Sequence, residues 1–429
     1  MVALTSLSRH LCSTSKRLSC YSNHALLTIN NGNFFAYSSI SSINNNYHLQ
    51  KHSQHAFSSI AATDDNDDLT MTRRNHPINV AFVGLGNMGL HMALNLAAPK
   101  GEVVDDRLPP MHFTVYDLQE SNVSKFMEQH ATTTATTTTT MKLSVASSLS
   151  SVGESSPDFV VTSLPTCEAS EAVVGDIVAS LPSSMSNNNE TNDDDHSSNS
   201  KNNKCIFIDT STISPNISKK LHQLVTTSTT SYPHHHHQHQ QHHDYVDAPV
   251  SGGVKGATDA TLTFMVGCSS PATFTAIQPL LQRMGKGVIP CGEAGSGSAV
   301  KLCNNAALAA QMVGICEAMN LGDALGVDPT VLAGAMNIST AKCWSSEVNN
   351  PHPIAARELG SGASANGYEG GFGTALMLKD LNLAVDAGEE EGLALPVAGL
   401  SRDLYRMADL HGYGRRDFGV MLEFLKGVK

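Results

Sequence analysis

Gly84-Leu85-Gly86-Asn87-Met88-Gly89 restricts what this chain can fold into more than any other segment. It follows directly on the short β run Ile78-Asn79-Val80-Ala81-Phe82-Val83, and helical apolar spacing runs from Met88 to Ala97. In such a strand–turn–helix unit the first glycine permits the tight turn and the second lets a pyrophosphate approach the backbone. The third lets helix and strand pack closely. A bound phosphate then meets the free N–H groups and dipole of the helix N-terminus. The spacing alone also occurs in turns of no function, and its place between a strand and a helix is what gives it force. Gly84, Leu85, Gly86, Asn87, Met88 and Gly89 are the expected cofactor turn.

A second strand, Phe113–Tyr116, ends at Asp117, where a carboxylate can accept hydrogen bonds from adenosine ribose hydroxyls. Leu118-Gln119 follows, with no adjacent arginine to hold a 2′-phosphate, which favours NAD over NADP. A strand-end aspartate capping the next helix gives the same signal, and the two roles are compatible. Further strands are expected at Phe159–Val161, Cys205–Ile208, Tyr245–Val246, Leu262–Val266 and Val288–Ile289, with helical segments between several of them. That alternation predicts a doubly wound parallel sheet.

Four low-complexity stretches interrupt the pattern: 99–110, 131–140, 183–203 and 226–243, the last with a histidine run at His234–His237. Each falls between elements and reads as a polar surface-loop insertion, which lengthens a loop at little cost. After Gly297 the texture changes. A long Ala-rich, proline-free segment, Val300–Leu325, is followed by helical spacing at Pro329–Asn337, Phe372–Gly388, Pro396–His411 and Phe418–Lys426. The expected organisation is a dinucleotide-binding domain over 76–297 and an all-α substrate and oligomerisation domain over 298–429, opened by a long helix.

Composition narrows the function classes. A formal net charge of -12 argues against nucleic acid or an anionic membrane as the main partner. No uninterrupted apolar run reaches the roughly 18 residues of a membrane span. The nine cysteines lack a paired spacing, so neither a disulfide framework nor a metal site is expected. Before Asp64 there is no acidic residue, while Arg9, Lys16, Arg17 and Lys51 stand among serines and asparagines. Residues 1–75 therefore read as an organelle transit peptide and lead, mitochondrial more often than plastid.

Two segments carry candidate chemistry. Asp247-Ala-Pro-Val-Ser251-Gly252-Gly253-Val-Lys-Gly256-Ala leaves a strand into a loop of small residues, whose hydroxyl and exposed N–H groups suit a carboxylate or serve as a plain turn. Lys301 opens the long helix, and Asn304 and Asn305 share its face three and four residues on. That face either meets solvent or lines a site. In a partly dry pocket the lysine would titrate nearer working pH and suit general acid–base chemistry.

Taken together, Phe82–Asn95, Asp247–Ala257 and Lys301–Asn305 resemble the three signatures of the β-hydroxyacid dehydrogenase family. Asp209-Thr-Ser-Thr212-Ile, Glu317–Gly322, Cys343-Trp344-Ser-Ser346 and Gly370–Thr374 through Lys379-Asp380 extend the likeness from about Ile78 to Leu425. The resemblance implies a Rossmann-type α/β domain followed by an all-α domain, and NAD as cofactor. It implies oxidation of a short 3-hydroxy acid, with 3-hydroxyisobutyrate as the expected substrate and methylmalonate semialdehyde as product. Lys301 would be the catalytic general acid/base, Asn305 would orient the substrate, and Ser251, Gly252 and Gly253 would hold its carboxylate. Leu164, Pro165 and Thr212 would border the nicotinamide, and Lys379 would reach the cofactor. Ala169 stands where similar enzymes often carry an asparagine.

Reductases of glyoxylate, succinic or tartronate semialdehyde share these motifs and are the nearest alternative, although Leu118 replaces the arginine usual in the plant glyoxylate reductases. A non-catalytic dinucleotide-binding module is the more distant one, and Lys301 argues against it. A small-molecule substrate, a homodimer or homotetramer, and a matrix location by valine breakdown complete the expectation. Trp344 reads equally as a substrate neighbour or as plain core.

Overall fold

In the computed structural model, residues 77–98, 109–134, 141–182, 204–228, 243–360 and 362–427 are described. The transit-peptide expectation and the histidine run lie outside them. Nine strands form one sheet: β1 (Ile78–Val83), β2 (Met111–Tyr116), β3 (Lys142–Val145), β4 (Phe159–Thr162), β5 (Ile206–Asp209), β6 (Asp244–Asp247), β7 (Val250–Ser251), β8 (Leu262–Gly267) and β9 (Gly285–Gly292). Their order is β3-β2-β1-β4-β5-β6-β8-β7, with β9 beside β8.

The chain winds outward from β1 in one direction through β2 and β3, then in the other through β4, β5 and β6, all parallel. The crevice outside the carboxyl ends of β1 and β4 is the switch point where such sheets bind ligands. Beyond β6 the sheet is not parallel as expected. β8 runs antiparallel to β6, because Val250 and Ser251 pair with Phe264 and Thr263 and fold the chain back on itself. β3 and β7 were not anticipated. β3 is a short, largely exposed edge strand, and β7 is two residues long.

Helices cover both faces: α1 (Gly89–Ala97), α2 (Glu120–Thr134), α3 (Leu149–Glu154), α4 (Cys167–Ser180), α5 (Pro215–Thr227), α6 (Gly253–Thr258) and α7 (Pro271–Met284). Strand alternation divides their apolar load. Val80, Phe82, Phe113 and Val161 join one buried cluster with Met92, Leu96 and Leu280, while Ala81, Val83, Val160 and Phe207 join another with Val174, Ile177 and Leu221. Two expected insertions begin later than expected. α2 runs through Thr134, its Thr132 hydroxyl donating back to the Glu128 carbonyl at 2.9 Å. α5 runs through Thr227, and the Cys205 N–H donates to His243 Nδ1 at 3.2 Å, which seats His243 against the sheet.

α8 (Ser296–Ala324) then departs from the sheet, two residues before the expected boundary. Its length and composition would suit a membrane span, but Met312, Ile315, Cys316 and Met319 are enclosed by the helices that follow. These are α9 (Pro329–Ile338), α10 (Trp344–Glu347), α11 (Pro353–Leu359), α12 (Thr374–Glu390), α13 (Pro396–Ala408) and α14 (Met421–Gly427). Met377, Leu381, Tyr405, Phe418 and Leu422 complete their core. α12 starts at Thr374 rather than Phe372, and Phe418–Val420 is a tighter turn ahead of α14. The short helices α10 and α11 were not anticipated. This half leaves Leu321, Leu325, Val331, Ile338, Val397, Leu400 and Leu410 exposed.

Candidate active site

The Gly84–Gly89 turn sits at the carboxyl end of β1, on the switch point. Gly84 has a φ of +95°, and a side chain there would strike the Ser163 carbonyl at the end of β4. A side chain on Gly89 would strike the Gly84 carbonyl. Both glycines therefore close the turn down. Gly86 differs: it is exposed, and a Cβ there would meet nothing within 4 Å. Space lies above Gly86, at the N-terminus of α1, where a pyrophosphate needs to reach the backbone. The arrangement fits a dinucleotide.

Asp117 closes the turn from β2. One carboxylate oxygen accepts the Leu85 N–H at 2.6 Å, and the other accepts the Gln119 N–H at 2.7 Å and the Asn122 side-chain amide at 3.2 Å. The second oxygen thus holds the lead-in to α2 and one of its side chains, and the first ties Asp117 to the cofactor turn. The oxygen that accepts the Leu85 N–H keeps a further lone pair for a ribose hydroxyl. Leu118 is 88% exposed, and its neighbours in the sequence are Asp117 and Gln119, neither of them cationic.

Leu164, half-buried, lies against Gly84, and its N–H donates to the Ser211 hydroxyl at 2.8 Å. Asp209 organises this region. Its buried carboxylate accepts the Thr162 hydroxyl at 2.9 Å, the Ser211 N–H at 3.0 Å and the Tyr245 hydroxyl at 3.1 Å. The ends of β4, β5 and β6 are thereby held together. Pro165 and Thr212 follow directly on these anchored residues, exposed and half-buried respectively. Thr166 caps α4 by accepting the Ala169 N–H at 3.2 Å.

The Ser251 loop is also fixed at both ends. Ala248 N–H donates to the Asp209 carbonyl, Met265 N–H donates to the Pro249 carbonyl, and Ser251 pairs with Thr263. Gly252 and Gly253 both have positive φ, and a Cβ on Gly253 would meet open space, so this turn presents backbone outward. From the cofactor helix, the buried Asn95 amide donates to the Ala257 carbonyl at 2.6 Å and holds the far end of the loop.

Lys301 is buried, 7% exposed, in the second turn of α8. Among the described residues no hydrogen bond or ion pair engages its ammonium. Burial pulls its pKa down; the negative charge of Asp380 opposes this, and the neighbouring Lys379 adds to it. Asp380 is buried on α12, and burial pushes its carboxyl up while Lys301, Lys379 and Asn305 pull it back. The Asn305 amide donates to Asp380 at 2.6 Å, and Asn304 donates to the Asn305 oxygen at 3.0 Å. Lys301, Asn305, Lys379 and Asp380 are thus brought together where α8 meets α12. Sequence reasoning gave Asp380 no role, since its partner lies 75 residues away. Trp344 is half-exposed and stacks on Phe418 at 6.3 Å, so it is neither simple core nor free surface.

Two family models together span this architecture. Residues 79–292 match the NAD-binding domain of 6-phosphogluconate dehydrogenase, and residues 295–425 match the domain described as NAD-binding of NADP-dependent 3-hydroxyisobutyrate dehydrogenase. The mitochondrial 3-hydroxyisobutyrate dehydrogenase of Drosophila melanogaster is 35% identical over 351 residues, covering 82% of this chain and 90% of that protein. The chain belongs to the 3-hydroxyisobutyrate dehydrogenase family. The human mitochondrial 3-hydroxyisobutyrate dehydrogenase is likewise 35% identical, over 81% of this chain and 86% of its own length. The 3-hydroxyisobutyrate dehydrogenase of Mycobacterium tuberculosis, solved with L-serine, superposes with a TM-score of 0.64 at 30% identity, over 82% of this chain and all of that one. The chain is an NAD-binding oxidoreductase with a Rossmann-type sheet and a helical half, like the other members of the family.

Proposed function

We propose that this protein oxidises 3-hydroxyisobutyrate to methylmalonate semialdehyde with NAD, and that Lys301 is the group that takes the hydroxyl proton. The observation that carries the reading is Lys301 itself, which is buried beside Asp380, has its pKa pulled down by that burial and has no hydrogen-bond partner among the described residues. A lysine so placed can be neutral at working pH and accept a proton. Asn305, held by Asp380, orients the substrate beside it. Ser251, with the backbone of Gly252 and Gly253, binds the substrate carboxylate. On the cofactor side, Gly84, Leu85, Gly86, Asn87, Met88 and Gly89 cradle the pyrophosphate and Asp117 binds the ribose. Leu164, Pro165 and Thr212 border the nicotinamide, and Lys379 approaches from α12. Bound NAD supplies the hydride acceptor.

Exposed Leu118, with no arginine next to it in the sequence, supports NAD over NADP. The mitochondrial relatives and the acid-free, basic lead before Asp64 support residence in the mitochondrial matrix. The exposed leucines, isoleucine and valines of the helical half support a homodimer or homotetramer. The two-domain division at 297/298 is part of the same reading. The test is a set of initial rates with 3-hydroxyisobutyrate, serine, tartronate and 4-hydroxybutyrate, each with NAD and NADP. The highest kcat/KM is expected for 3-hydroxyisobutyrate with NAD. A preference for another acid would move the chain to the semialdehyde reductases.

A further inference from the structure

Asp247 ends β6, is 1% exposed, and stands in register with Asp209 of β5. Its carboxylate is not spent on the sheet. One oxygen accepts the Gly295 N–H at 2.7 Å and the other accepts the Ser298 N–H at 2.8 Å. Those two amides are the entry to α8, and Ser298 precedes Lys301 by less than one turn. In the other direction along the chain, Asp247 is the residue from which the Ser251–Gly253 loop departs.

The joint is also closed sterically. A side chain on Gly267 would run into the Asp247 carboxylate, and one on Gly297 would run into the carbonyls of Met265 and Asp247. The first turn of α8 therefore rests directly on the backbone of β6 and β8. The buried hydroxyls of Ser218 and Ser298 meet at 2.9 Å beside it and brace α8 against α5.

We infer that Asp247 is a positioning residue for the reaction: by capping α8 with both carboxylate oxygens it fixes Lys301 in register with the loop that holds the substrate carboxylate. A helix entry could be capped by a single serine or threonine hydroxyl. A buried carboxylate divided between two amides instead fixes direction as well as position, because both bonds must be kept. The inference rests on the proposed role of Lys301, and a misplacement of about 1 Å between reacting groups is enough to cost about a hundredfold in rate.

Asp247→Asn keeps the shape but offers an NH2 to one of the two amide donors. In the full chain, kcat is expected to fall at least tenfold while the NADH dissociation constant, read by fluorescence titration, stays within twofold. Loosening the cap admits water to Lys301, so the acidic limb of the kcat profile should move to higher pH. Ser218→Ala removes the neighbouring brace and leaves the cap, and its kcat should stay within twofold of the unaltered protein.

A turnover within twofold in Asp247→Asn, or a loss matched by an equal loss of NADH affinity, would overturn the inference. So would an equal loss of turnover in Ser218→Ala. Should Asp247→Asn not fold, hydrogen exchange on the unaltered protein decides. The Gly295 and Ser298 amides must exchange as slowly as those in the middle of α8, and exchange at loop rates overturns the cap. Lys301→Ala is measured in parallel. If it keeps its activity, the proton-acceptor reading fails; if it loses activity and Asp247→Asn does not, the positioning role alone fails.

Discussion

In the sheet half, the Gly84–Gly89 and Gly252–Gly253 turns leave backbone open, with nothing within 4 Å of a Cβ built on Gly86 or Gly253. Side chains there, such as Asp117, Asp209 and Asn95, mostly hold backbone in place. In the helical half the reverse holds. Lys301, Asn305 and Asp380 are buried side chains on two regular helices, and they face one another. The difference follows from geometry. A turn can expose several N–H groups at once and suits a delocalised anion such as pyrophosphate, whereas a helix has used its backbone groups internally and can offer only side chains. Damage to the Gly84–Gly89 turn should therefore be read in cofactor binding, and damage to Lys301 and its helical neighbours in turnover, as should damage to Asp247, which acts through the entry to α8.

The sharpest challenge to that division is Lys301→Ala. Its kcat is expected to fall by about a thousandfold, within the usual range for a general base, with NADH binding nearly unchanged by fluorescence titration. Gly89→Ala should do the opposite. Its methyl group would push the Gly84 carbonyl out of the turn, and an increase of about a hundredfold in KM for NAD is expected at the strained turn. A kcat effect larger than the KM effect would break the comparison.

Asp380→Asn tests the helical half from a second residue, with a fall in kcat on the order of thirtyfold. Its direction on pH is definite. Asp380 opposes the depression of the Lys301 pKa, so removing its charge lowers that pKa further. Activity needs the neutral amine and is lost as pH falls through its pKa; the acidic limb of the rate profile must move to lower pH. Asp117→Ala is the mildest case, weakening NAD by about tenfold through lost charged hydrogen bonds. Because Asp117 also accepts the Leu85 N–H, NADP should not gain in absolute terms. A variant that binds NADP more tightly than the unaltered protein would show that the carboxylate acts by repulsion.

The same contrast explains what could be read before the structure. Strands β1, β4 and β5 are buried throughout or nearly so and read as largely apolar runs, and β6 shows as the apolar pair Tyr245-Val246 between two aspartates. The glycine turn is local, and its spacing carries its geometry. β3 (Lys-Leu-Ser-Val) is too short and polar to declare itself, because its stability comes from pairing with β2. β9 contains glycines and Pro290, which a strand tolerates at an edge or an irregularity such as the register shift near its end.

The site divides similarly. Lys301 and Asn305 lie on one helix face and their relation follows from helical spacing, whereas Asp380, Asp209 and Asp247 act on partners 75, 36 and 48 residues away, as in Asn305, Tyr245 and Gly295. A lone aspartate at the end of a β run gives no hint of what it will cap. Asn95 stood inside a recognised motif, yet its bond to Ala257 spans 162 residues. The parallel expectation for β8 failed for a related reason, since two residue pairs of β7 reverse the chain there.

The four low-complexity stretches share a placement that follows from the winding of the sheet. Each leaves after a helix and returns just ahead of a parallel strand: α1 to β2, α2 to β3, α4 to β5 and α5 to β6. The described residues that flank them lead into the amino-terminal ends of these strands, and the glycine turn, the Ser251 loop and the entry to α8 all occupy the carboxyl-terminal rim. The points where these stretches join the sheet and the residues proposed for the chemistry thus lie at opposite ends of the same strands. For protein engineering this marks four sites where a fluorescent reporter or a tether could be spliced in with the catalytic rim left untouched.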